Sequence, residues 1–187
     1  MMDLKLFIGV VGVFAATVAT ANPLKDFSLE SSARILAAHN EARAAVGAQP
    51  LQWDDALAQH AASYGPVLAS MRRLEHSPRD GRPGERENLA MAWHGTMSPE
   101  QLVALWTNER RLLGSGSYLF PGTSLTGNWE DVAHYTQMVW PTTTHVGCTI
   151  YKADWDYLIC RYSPPGNKDG KPIFTSAAVT SPSQEPQ

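Results

Sequence analysis

Apolar and polar residues alternate along this chain with several periods, each predicting a different element. Residues 6–19, LFIGVVGVFAATVA, form an uninterrupted apolar block. Beyond it, LESSARILAAHNEARAAV has helical spacing, with Ser28 as its cap and Gly47 as its stop. A second helix is expected at DDALAQHAASY behind Trp53, and Gly65-Pro66 should break or kink it. Proline, glycine and charge make Ser77–Glu85 a loop, and ENLAMAW follows as a short strand. Ser98-Pro99-Glu100 is a strong helix start, and that helix should run to about Leu113. An irregular excursion, GSGSYLFPGTSLTGN, then precedes a further helical segment, WEDVAHYTQMV, stopped by Pro141. Two β-like runs, HVGCTIY and WDYLICRY, flank KAD and suit a hairpin. Little regular structure is expected after Pro164-Pro165-Gly166, and TSAAVTSPSQEPQ has the composition of a disordered tail. This order predicts an α/β fold, a sandwich whose helices cover a small, largely antiparallel sheet.

The first block changes the picture most. A short segment with one lysine, the apolar run and a small-residue site (ATA) before Asn22 read as a signal peptide over residues 1–21. The run is shorter than the ~20 residues a membrane-spanning helix needs, so no anchor is expected in the mature chain. Export places the protein outside the cell, or in the periplasm of a two-membrane host. An oxidising compartment lets Cys148 and Cys160 pair as a disulfide across the hairpin, contributing about 3 kcal/mol.

With 187 residues and 43% hydrophobic content, the chain suits one domain with a substantial core. A formal charge of −3 supplies no basic face for nucleic acid. Leu102, Leu105, Trp106, Glu109 and Leu112 fall on one helical stripe, which puts Glu109 on an apolar face where a carboxylate needs a partner. The alternative is a rotated helix in which Glu109 pairs with Arg110 or Arg111 near the surface. His134 sits where periodicity chooses no face, with Glu130 one turn before it. His76 lies in a loop, and His39, His60, His94 and His145 read as packing or surface residues. There is no HExxH, GxSxG, P-loop or paired CxxC, so any site must be assembled from distant segments.

Five stretches in order, AAHNEARAAVGAQPLQWDDALAQHAASY, ERENLA, LWTNERR, HYTQMVWPTTTHVGC and LICRYSPPGN, closely resemble the CAP superfamily of cysteine-rich secretory, antigen 5 and pathogenesis-related proteins. The resemblance covers residues 28–167, leaving a linker over 22–27 and a flexible tail over 168–187. It implies a three-layer α-β-α sandwich with a cleft holding two histidines and two acids, which here fall on His76, Glu87, Glu109 and His134, with Glu130 as a rival acid.

Two imidazoles oriented by carboxylates can hold a divalent metal such as zinc and leave coordination positions open. The resemblance therefore implies a secreted binding protein for a sterol, fatty acid or other lipid. A metal-dependent peptidase or esterase with Glu87 or Glu109 as general base is the enzymatic alternative. A third reading is a defence-type effector that meets an extracellular protein partner through its surface. Tyr135, Gln137 and Trp140 read as architecture, and the SYLFPG loop stands where it could line the cleft. With one cysteine pair and no cysteine-rich module, the chain resembles the compact single-domain forms.

Overall fold

The computed structural model describes residues 23–114 and 118–174. The predicted signal peptide and the segment 175–187 lie outside the described residues. Helix α1 (Pro23–Ala44) starts five residues before the expected cap at Ser28. The chain turns after it at Gly47, whose φ of +66° a residue without a Cβ adopts freely. A two-residue strand β1 (Gln52–Trp53) leads to Asp54, which caps α2 (Asp55–Met71) by accepting from the amides of Ala56 and Leu57. Strand β2 (Arg86–Trp93), helix α3 (Pro99–Thr107), helix α4 (Ala133–Met138) and strands β3 (His145–Lys152) and β4 (Trp155–Ser163) complete the order.

The strands lie in the order β1-β3-β4-β2, antiparallel except for the parallel β1–β3 pair. Alternation splits the sheet's side chains between two cores. Ala90, Cys148, Leu158, Cys160 and Tyr162 join Ile35 of α1 and Leu102, Val103 and Trp106 of α3. Leu89, Tyr157 and Ile159 pack on Ala61 and Leu68 of α2. The result is the expected three-layer sandwich. Among the described residues, no helix is long and apolar enough to cross a membrane.

Two local expectations fail for physical reasons. Helix α2 runs through Pro66 because tertiary packing outweighs propensity: buried Leu57, Ala61 and Leu68 hold it to the sheet, and a Cβ on Gly65 would lie 2.4 Å from the Tyr151 ring. The buried face of α3 is Leu102, Val103 and Trp106, while Leu105 is exposed. From Asn108 the chain tightens into a 3₁₀ turn, Asn108–Leu112, and this change of winding re-aims Glu109 and Leu112. Beyond Asn167, a short strap packs back onto the domain: Leu119 bridges Pro172, the Ile173 amide donates to the Tyr118 carbonyl at 2.8 Å, and Ile173 is buried.

The disulfide forms where the hairpin predicted it, between directly opposed residues of β3 and β4 with Cα atoms 4.1 Å apart.

Candidate functional site

The open edge of the sheet at β2 borders a cleft of about 1,050 Å³. His76 reaches it from the loop after α2, Glu87 and Asn88 from β2, and His134 from the first turn of α4. Phe120 and Pro121 of the long excursion and Trp129 just after it line it as well, so this loop borders the cleft as its position suggested.

The two histidines are held in the same manner. The Glu87 carboxylate accepts from His76 Nδ1 at 2.8 Å, and the Glu109 carboxylate accepts from His134 Nδ1 at 2.6 Å. Each bond fixes a ring and its tautomer, leaving the Nε2 lone pair of the neutral ring for the cleft. The supports differ. Glu87 also accepts from the Ser77 amide at 3.0 Å and the Ser77 hydroxyl at 2.9 Å, and it is ion-paired with the Arg161 guanidinium at 2.9 Å. Register explains the last contact, because Glu87 and Arg161 are directly paired across β2 and β4. Burial pushes the Glu87 carboxyl up, but His76, Arg161 and Ser77 together outweigh it and hold the group below its ordinary value. Glu109 has a second bond only from the Tyr135 amide, at 2.9 Å. It stands behind His134 and does not line the cleft itself, and Glu130, exposed on the rim, makes no bond to His134.

A buried hydrogen-bond relay ties α4 to the core. His39 Nδ1 donates to the Ile35 carbonyl at 2.8 Å, so its Nε2 accepts from the Tyr162 hydroxyl, also at 2.8 Å. That hydroxyl accepts from Asn88 Nδ2 at 3.1 Å, and the same amide donates to the His134 carbonyl at 3.0 Å. Burial lowers the His39 pKa to about 4, so the relay works with a neutral imidazole. Trp106 lies between the two histidines, stacked on His134 with ring centroids 6.0 Å apart and edge-on to His39 at 6.1 Å. Gln137 and Trp140 are architecture: Gln137 accepts from the Gly166 amide at 3.0 Å, and Trp140 is buried in the cluster with Phe120 and Ile173.

The structure thus brings His76, Glu87 and His134 to one cleft with Glu109 behind His134, while Ser77, Asn88, Arg161 and Tyr162, which position them, were not singled out in the sequence. Two of these had a signal: Asn88 sits in the same ENLA box as Glu87, and Ser77 follows His76 directly. His94 and His60 had none, and each also meets an acid, Asp156 at 2.7 Å and Glu85 at 2.6 Å.

The donor set fits a divalent ion in part. Two Nε2 atoms with carboxylates behind them are the donors and outer partners that zinc uses. Both glutamates are committed to the imidazoles, and no three donor atoms of these residues lie within 4.8 Å of one another. Only His39, Cys148 and Cys160 meet that distance among the described residues, but the disulfide has consumed both thiolates. An ion in the cleft would therefore be held by His76 and His134, with its other positions open to water or ligand.

The profile of the cysteine-rich secretory protein family, CAP, matches residues 36–162. The chain belongs to the CAP family. Its CAP relatives include pathogenesis-related protein 1C of Nicotiana tabacum, 37% identical over 138 residues that span 73% of this chain and 76% of the relative. Pathogenesis-related protein 1 of Arabidopsis thaliana is 33% identical over 169 residues, 89% of this chain and 96% of the relative. Among solved structures, the crystal structure of NaASP2 with Zn2+ superposes with a TM-score of 0.66 at 26% identity, covering 79% of this chain and 86% of that one. The α-β-α sandwich is thus the CAP fold.

Proposed function

We infer that this protein is an exported binding protein whose cleft holds a divalent ion such as zinc between His76 and His134. One observation carries the reading: two imidazoles from separate elements are each pinned through Nδ1 by a glutamate, with Nε2 left for the same cleft. The zinc in the NaASP2 crystal structure supports it by analogy. The saturation of Glu87 favours binding over turnover, since a carboxylate engaged by His76, Ser77 and Arg161 is poorly placed to take a proton from water. A divalent ion bound there would act as a Lewis acid toward a ligand oxygen.

A lipid is the ligand class we favour for the protein as a whole. A separate groove of about 520 Å³ runs between α1 and α3, where Ala37, Ala38, Ala42, Val103 and Ala104 share the lining with Arg34, Glu41, Glu100 and Arg110. The buried Tyr135 also lines it, with a hydroxyl that has no hydrogen-bond partner. The pathogenesis-related names of the relatives support an extracellular, defence-type setting.

Calorimetric titration of zinc into the mature protein and into the His76→Ala/His134→Ala variant tests the ion. Stoichiometric binding that the double variant loses is the expected result; equal binding by both proteins refutes the assignment. Lipid uptake is assayed in parallel with labelled fatty acid and sterol, and failure to take up either removes the lipid reading while leaving the ion intact.

A further inference from the structure

The cleft has a second chemical character, in the charge of one wall. Arg79, Arg82, Arg86 and Lys168 line it against three carboxylates, Glu87, Glu130 and Asp169, and Glu87 is already paired with Arg161. This local excess of cations belongs to a chain whose formal charge is −3.

None of the four cations forms an ion pair with a described carboxylate. Arg82 is buried, and its guanidinium donates to the carbonyls of Ser77 at 3.1 Å and Glu85 at 3.4 Å. Arg86 likewise donates to the carbonyls of Gly166 at 3.1 Å and Asn167 at 3.4 Å. These main-chain bonds fix the direction of each guanidinium without neutralising it. Burial lowers the pKa of Arg86, the neighbouring charges of Arg79 and Arg82 add to the effect, and Asp169 opposes it. Like charges held together at the mouth of a cavity raise the local concentration of anions there. Planar guanidinium forks match the oxygens of phosphate, phosphonate or carboxylate.

Another part of the lining is apolar. Trp129 is exposed and presents most of this apolar surface; Phe120, buried at 4% exposure, backs it edge-on with centroids 5.5 Å apart, and Pro121 also lines the cleft. The strap over residues 168–174 links the two sides: Lys168 is on the cationic wall, and the Lys171 carbonyl accepts from the Phe120 amide at 3.0 Å.

We propose that the cleft takes an organic oxyanion, its charged group on Arg79, Arg86 and Lys168 and its flat or apolar body against Phe120 and Trp129. This ligand shares the cleft of the proposed metal site but does not require the ion, so the two assignments can fail separately.

The test is calorimetric titration of phenylphosphonate into EDTA-treated mature protein at low salt, with inorganic phosphate as the control lacking a ring. Expected are binding tighter than that of inorganic phosphate, at least tenfold weakening in Arg79→Gln/Lys168→Gln, and binding that added zinc does not strengthen. Arg79 and Lys168 are exposed and their removal leaves the core untouched; Arg86→Lys, which keeps the charge but loses the fork, should weaken binding by a smaller factor. Equal affinity in wild type and the Arg79/Lys168 variant overturns the proposal. So does binding that needs added zinc and vanishes with the two histidines, because the anion would then be an ion ligand. Phenylphosphonate no tighter than inorganic phosphate removes the role of Phe120 and Trp129. Vesicles containing phosphatidic acid form the last arm: co-sedimentation without any phenylphosphonate binding would overturn the small organic anion in favour of a lipid surface.

Discussion

The His76–Glu87 and His134–Glu109 pairs use the same bond but divide order and exposure to different degrees. In the first, the acid side chain is fully buried with three hydrogen bonds and an ion pair, while the histidine, on a loop, is 53% exposed. In the second, the acid is 17% exposed with two partners, and the histidine is 30% exposed, built into α4 and stacked on Trp106. The first pair therefore has a rigid base and an open tip. In the second, the histidine is as firmly set as the acid that orients it.

The largest expected effect separates the two acids. Glu87→Ala leaves the Arg161 guanidinium in the interior with only Glu85, at 3.4 Å, as a carboxylate partner, and should cost about 4 kcal/mol in chemical denaturation. Glu109→Ala should cost about 1 kcal/mol, the worth of ordinary bonds near the surface. Equal losses would erase the distinction.

Acid should sharpen it next. Folding keeps His39 neutral down to a pKa of about 4, whereas the unfolded chain takes up a proton from its ordinary value of 6.5 downward. The unfolded state thus binds more protons in that window. Stability should fall by about 3 kcal/mol as pH drops from 6.5 to 4 and then stop changing on this account. Glu87 acts in a lower window: with its folded pKa below the ordinary 4.5, its contribution is present above that value and is lost as pH falls through the folded pKa. Denaturant midpoints from pH 7 to 3, in wild type and His39→Gln, should show the upper window vanish only in the variant.

Smaller effects come from the histidines. His76→Ala should change stability by less than about 0.5 kcal/mol, as for an exposed side chain. His134→Ala should cost about 1 kcal/mol, because its ring covers Trp106. If both variants lose zinc yet only His134→Ala shifts the thermal midpoint, the contrast between open tip and built-in ring stands.

Local chemistry made much of this legible in the sequence. Ser98 and Gln101 form the capping box of α3, with Pro99 in its first turn, and the two cysteines meet because alternation and a three-residue turn set their register. The same locality limited the reading of the site. Glu109 was marked by its place on an apolar face, but its partner lies 25 residues away, and Arg161 is 74 positions beyond Glu87. Nothing near either residue encodes that meeting. His39 shows the converse, since a histidine on the apolar stripe of α1 reads as packing, yet its ring nitrogens join helix to sheet. In α2, a breaker dipeptide was overruled by the sheet beneath it.

The strap that returns over the excursion divides the C-terminal region into parts with different tolerance to cleavage. A protease cutting between Asn167 and Lys168 would release the bridge from Pro172 to Leu119 and the buried Ile173, freeing the aromatic lip of the cleft while leaving the sheet and its disulfide intact. A cut after Phe174 would leave every one of those ties in place. Cleavage within the strap would therefore loosen one border of the cleft, whereas cleavage beyond Phe174 would not, and the sheet would stand in both cases.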